Sequence, residues 1–138
     1  DFARNAAARH NIPSLFLSFE MTNDEMMQRL LSAEARVSLH LLRSGELNDD
    51  EWTKLARRMG EISEVPLFFN DTCRPTVRAI AAEARKMIES HGIRMVFIDY
   101  VQNLSLDRRG EKEAKLVRLG LTLRETIERS GPADAYAE

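Results

Sequence analysis

Along the chain, short apolar runs alternate with longer stretches in which every third or fourth residue is apolar, the patterns of buried strands and amphipathic helices. Residues 2–10 read as the back half of a helix, closed by Asn11, Ile12 and Pro13. SLFLSF, residues 14–19, is a short strand. Thr22 and Glu25 have the spacing of a capping box, and Met26, Met27, Leu30 and Leu31 follow at helical intervals, predicting a helix over 23–35. A shorter helix over 38–44 is stopped by Gly45. Asn48 and Glu51 repeat the capping-box spacing ahead of Trp52, Leu55, Ala56, Met59 and Ile62, which share one helical face.

A second strand, PLFFN over 66–70, ends in the polar turn Asp71, Thr72. The most regular stripe is Val77, Ile80, Ala81, Ala84, Met87 and Ile88, predicting a helix over 75–90 that His91 and Gly92 end. Residues 93–98 are a third strand. A last helix is expected over 110–129, with Leu116, Leu119, Leu123 and Ile127 on one face. Met26, Met27, Met59 and Met87 fall at core-facing positions, and Trp52 is expected to anchor its helix to a neighbour. Strands separated by helices of this length predict βαβ units and a parallel sheet, so the fold class is α/β. One domain over 1–130 and a tail over 131–138 are expected.

Composition narrows the picture. Of 138 residues, 43% are hydrophobic and 30% charged, which is enough apolar content for a single core. No apolar run nears the roughly 20 residues of a membrane span and no signal peptide is visible, so a cytoplasmic location is expected. A net charge of -2 lacks the basic excess of an autonomous nucleic-acid binder. A single cysteine, Cys73, excludes an internal disulfide, and His10, His40 and His91 are too dispersed for a metal site. Arg57, Arg58, Arg108 and Arg109 sit beside acidic residues and read as solvated helix surface. Because the chain opens on Asp1 and a helix without a cap, it reads as cut from something longer.

The candidate chemistry lies at strand ends. In parallel α/β sheets ligands gather at the carboxyl ends of strands, where loops and helix N-termini converge. Glu20 and Asp99 both occupy such a place, and a carboxylate there needs a partner, a metal or water. Asp99 after MVFI fits a Walker-B aspartate holding the water shell of nucleotide-bound Mg²⁺; a turn residue accounts for it as well. Glu20 fits a general base for the water attacking a γ-phosphate, and it also fits the acidic start of a helix. Two carboxylates at equivalent places on different strands favour the functional pair.

Taken in order, LFLSFEM, the helical segment over 26–52, PLFFNDT and MVFIDYVQNL resemble the DnaB-like replicative helicases. That family carries S-x-E-M, R-L-L-x-x-E-A, R-x-G, a tryptophan after an acidic run, P-L-x-x-D-D-T and D-Y-L-Q in the same order. The resemblance covers residues 1–104 and implies a RecA-like P-loop ATPase core. Through it, Glu20 matches the catalytic glutamate, Asp99 the Walker-B aspartate contacting Mg²⁺ through water, and Gln102 the glutamine of D-Y-L-Q. Here Val101 replaces the leucine of that motif, and Asn103 the leucine after it.

The resemblance implies ATP and Mg²⁺ as cofactors, a homo-hexamer, single-stranded DNA in a shared channel and other replication proteins as partners. The family's phosphate loop, G-x-x-x-x-G-K-[ST], would precede the first helix, and no such motif occurs among the 138 residues. After Asp107 the resemblance fades, without the later DNA-binding loops and arginine finger. The chain alone is therefore expected to be inactive. The alternative is a non-catalytic helicase remnant acting as a protein-interaction module, and an unrelated α/β domain is the third reading.

Overall fold

A computed structural model of the chain describes residues 2–99 together with 120, 121, 124, 125, 128 and 129. Its elements run α1 (Phe2–His10), β1 (Ser14–Ser18), α2 (Asn23–Ala35), α3 (Leu39–Ser44), α4 (Asp49–Ser63), β2 (Leu67–Asn70), α5 (Val77–His91) and β3 (Met95–Asp99). Gln102, Arg108, Arg109 and the tail over 131–138 lie outside the described residues. So does most of the helix expected over 110–129, although the described positions within it are helical.

The three strands form a parallel sheet in the order β2-β1-β3. Ser14 pairs with Leu67 on one side and Met95 on the other, and the register carries Ser18 opposite Asp99. Successive strand residues face opposite sides. Leu15 and Leu17 face α5 and form a fully buried core with Ile80, Ile88 and Ile93, with Phe68, Val96 and Ile98 packed against it. Each such side chain contributes about 2 kcal/mol on leaving water. On the other face Phe16 meets Phe69 edge-on, at 6.1 Å between ring centroids, and stacks on Phe97 at 6.4 Å. Helix α1 covers this face with Ala3, Ala6 and Ala7, whose small side chains allow a close approach to β1 and β2.

Both capping boxes form: Thr22 with Glu25 at the start of α2, and Asn48 with Glu51 at the start of α4. Several boundaries differ from the sequence reading for local reasons. Helix α5 begins at Val77 rather than at 75, since Thr76 is its cap and accepts the Ala79 amide. Pro66 has no N–H to give a ladder, yet its carbonyl accepts the Ser14 amide at 2.9 Å. Strand β3 starts two residues late because the Arg94 amide turns back to the Pro13 carbonyl, which makes Asp99 the strand's last residue. Gly92 closes α5 at φ 62°, a conformation that only glycine adopts without cost.

The stripe on α4 is only half buried. Leu55 packs with Ala35, Val37 and Leu47 in a second small core, whereas Trp52 is 49% and Met59 53% exposed. Trp52 therefore does not anchor α4 among the described residues. Met59 and Met27 are likewise exposed, while Met26 is buried and Met87 packs on the main core. The apolar arc of α4 is wider than the strip that α2 covers, so periodicity alone overstated its burial.

Candidate functional site

The carboxyl ends of β1 and β3 lie side by side, and both carboxylates singled out from the sequence are there. Asp99 closes β3, and Glu20 stands two residues beyond the end of β1. The two ends are tied by the Phe19 amide, which donates to the Asp99 carbonyl at 2.8 Å. By pleat alternation the Asp99 side chain leaves the sheet on the face of Phe97 and Phe16, where α1 packs.

The link carrying Glu20 is held by its backbone. Ser18, buried at the end of β1, has an Oγ that accepts the Met21 amide at 2.9 Å and the Glu20 amide at 3.4 Å. Thr22 then caps α2, its own amide donating to Glu25 at 3.0 Å. The Asn23 amide, first in the helix, donates to the Asp71 carboxylate at 2.8 Å, across 48 positions of chain. A helix N-terminus carries partial positive charge, so a carboxylate there is favoured. By contrast the Glu20 side chain is exposed and makes no hydrogen bond or ion pair among the described residues, and neither does the Asp99 carboxylate. Fixed backbones presenting unengaged carboxylates suit groups whose partners are ligands.

Among the described residues no three His, Cys, Asp or Glu side chains cluster to hold a metal on their own. That donor set still suits Mg²⁺, which keeps several waters and takes one or two carboxylates plus substrate phosphates. Gln102, expected beside the nucleotide, lies outside the described residues.

Asp71 and Ser18 are site residues that sequence reading missed, since one looked like a turn and the other like an ordinary strand position. The available signal was Asp71 itself, a third carboxylate just past the end of a parallel strand. Next to it, Asn70 Oδ1 accepts the Thr72 and Cys73 amides at 2.9 Å each, and its Nδ2 donates to Glu83 on α5 at 3.0 Å. Burial pushes the Cys73 thiol up from its ordinary value, and the Glu83 charge adds to this. A protonated thiol is a poor nucleophile, in keeping with the sequence reading.

Away from the strand ends, Arg36, Lys54, Arg57 and Arg58 line a surface cleft of about 460 Å³ between the end of α2 and α4. Glu61 answers Arg57 and Arg58 together, and the Arg58 hydrogen bond holds its carboxyl below the usual range. These two arginines are solvated helix surface, as expected.

A family model described as the DnaB-like helicase C-terminal domain matches residues 1–126. The replicative DNA helicase DnaB of Mycobacterium leprae (strain TN) is 42% identical over 111 residues, covering 80% of this chain and 18% of that protein. Its counterpart from Leifsonia xyli subsp. xyli is 39% identical over 117 residues, covering 85% of this chain and 26% of that one. Among solved structures, a helicase ATPase domain superimposes with a TM-score of 0.70 at 20% identity, over 88% of this chain and 45% of that one. A DnaB-like replicative helicase, solved in a study of its interactions with primase, gives 0.69 at 20% identity, over 88% of this chain and 30% of that one. These two likenesses establish the α/β ATPase fold. The chain spans about a fifth to a quarter of the length of the curated relatives described.

Proposed function

The chain belongs to the DnaB-like helicase C-terminal domain family, and from that membership we propose that it is part of a replicative helicase motor coupling ATP hydrolysis to DNA unwinding. The observation that carries this reading is the pairing of Glu20 and Asp99 at adjacent strand ends, joined through the Phe19 amide. Glu20 is the general base: its carboxylate orients the attacking water and accepts its proton as the γ-phosphate is transferred. Asp99 holds the water shell of Mg²⁺, which when bound neutralises charge on the β- and γ-phosphates. Gln102 contacts the nucleotide site. The working assembly is a homo-hexamer in the cytoplasm that moves along single-stranded DNA, with other replication proteins as partners. A shared channel concentrates DNA contacts on a few loops, so a net charge of -2 is no obstacle.

No G-x-x-x-x-G-K-[ST] occurs within the 138 residues, so this chain alone lacks the backbone cradle and lysine that hold ATP phosphates. An assay of the isolated chain with ATP, Mg²⁺ and single-stranded DNA is expected to give little or no phosphate release. Sustained hydrolysis by the chain alone would overturn this account of the site.

A second reading, a protein-interaction module without catalysis, is favoured by one observation, the exposed Trp52 and Met59 on α4. Gel filtration with intact helicase subunits tests it, and failure to co-elute would dismiss it.

A further inference from the structure

Alternate amides in the segment from Phe19 to Asn23 are each claimed by the end of a different strand. The Phe19 amide goes to the Asp99 carbonyl of β3, the Met21 amide to Ser18 Oγ of β1, and the Asn23 amide to the Asp71 carboxylate just past β2. Glu20 lies between the first two of these contacts. The first is backbone to backbone and the second bridges only three positions, so neither fixes the far end of the link against the rest of the sheet. The third does. Asp71 reaches across 48 positions of chain to the first amide of α2 and sets where that helix begins relative to β2.

We propose that Asp71 is a positioning residue for Glu20, fixing the start of α2 so that the link between Ser18 and Thr22 presents the Glu20 carboxylate beside Asp99. The proposal rests on the reading of Glu20 as the general base. Asp71 is itself held in place: Asn70 Oδ1 gathers the Thr72 and Cys73 amides into a tight turn, while Asn70 Nδ2 ties that turn to Glu83 on α5. The pin is therefore braced by the α5 face of the sheet while it acts on α2, against the opposite face. Thr22 and Glu25 satisfy other amides of α2 without Asp71, so the helix persists when Asp71 is lost and only its placement loosens.

Two measurements test this. In the 138-residue chain, Asp71→Ala is expected to speed hydrogen exchange at the Asn23 and Met21 amides about tenfold, the effect of losing one charge-assisted hydrogen bond. Exchange in α5 should be unchanged, and Asp71→Asn, which keeps an acceptor oxygen, should retain most of the protection. Unchanged exchange at Asn23 in Asp71→Ala would overturn the proposal.

In the full-length helicase subunit carrying this segment, Asp71→Ala is expected to lower kcat for ATP about tenfold to a hundredfold at unchanged KM, as for a base displaced by about 1 Å. Asp71→Asn should recover most of that loss. Asn48→Ala, which removes the cap of α4 instead, should reduce stability comparably and leave kcat alone. If Asn48→Ala lowers kcat equally, or Asp71→Ala raises KM instead, the role is structural and the proposal fails. Glu20→Gln separates the two readings: retained kcat there overturns the assignment of Glu20 as base, whereas lost kcat there with normal kcat in Asp71→Ala overturns only the positioning role.

Discussion

The amide of Phe19 donates to the carbonyl of Asp99 at 2.8 Å, one step past the last register pair of β1 and β3, Ser18 with Asp99. This bond extends the parallel ladder to the point where the chain leaves the sheet. It places the residue before Glu20 against the residue proposed to hold Mg²⁺, so the two carboxylates share one edge of the molecule. Strand pairing thus brings together positions far apart in the sequence, and the side chains remain available to a ligand.

Different losses are expected from the two carboxylates. In the full-length subunit, Glu20→Gln removes the proton acceptor and is expected to lower kcat about a thousandfold, within the range for general-base catalysis, with ATP binding retained. Asp99→Asn leaves the base and weakens the metal, so the Mg²⁺ concentration for half-maximal rate should rise about tenfold to a hundredfold. Steady-state assays across a Mg²⁺ series check both. Equal Mg²⁺ dependence in Asp99→Asn and the parent would remove Asp99 from the metal site.

Local chemistry made most of the fold legible. Thr22 with Glu25 and Asn48 with Glu51 marked two helix starts, and the Val77 to Ile88 stripe marked the face that meets Leu15 and Leu17. What could not be read were contacts whose partners are far apart in sequence. Nothing local to Asp71 says that its oxygen reaches Asn23, and nothing local to Arg94 says that its amide returns to Pro13 and delays β3. Burial on α4 failed for a related reason. Trp52 and Met59 share the period of Leu55, but period fixes only the direction of a side chain, and burial depends on whether a neighbouring element stands there.

Both capping boxes are solvent-facing and confined to their own helices, so their loss should be felt as stability alone. Thr22→Ala and Asn48→Ala are each expected to cost about 1 kcal/mol, since each leaves one first-turn amide without its side-chain acceptor. Urea unfolding should show lower midpoints with an unchanged slope. A shift confined to one variant would mean that only one box contributes to folding.

A large contrast is expected between Ile80 and Trp52. Ile80 is fully buried against Leu15 and Leu17, and Ile80→Ala should cost about 2–5 kcal/mol through lost burial and the cavity left behind. Trp52 is 49% exposed, and Trp52→Ala should change the stability of the chain by about 0.5 kcal/mol or less. The same unfolding measurement decides it. A loss at Trp52 comparable to that at Ile80 would show that α4 is anchored through its tryptophan after all.

The thiol of Cys73 gives a prediction about pH. Burial and the nearby Glu83 charge raise its pKa in the folded chain, so at a given pH less of it is thiolate than in the unfolded chain. Iodoacetamide should therefore modify Cys73 more slowly in buffer than in urea, and the midpoint of the folded rate profile should lie at higher pH. Glu83→Gln removes one of the two causes and should move that midpoint part of the way back. The sign for stability follows from the same shift. A raised folded value favours the protonated thiol, so this contribution is fully present below the unfolded pKa, about 8.5, and is lost as pH rises through the folded one. Equal alkylation rates in the folded and unfolded chains, measured by mass spectrometry near the unfolded pKa, would refute the shift.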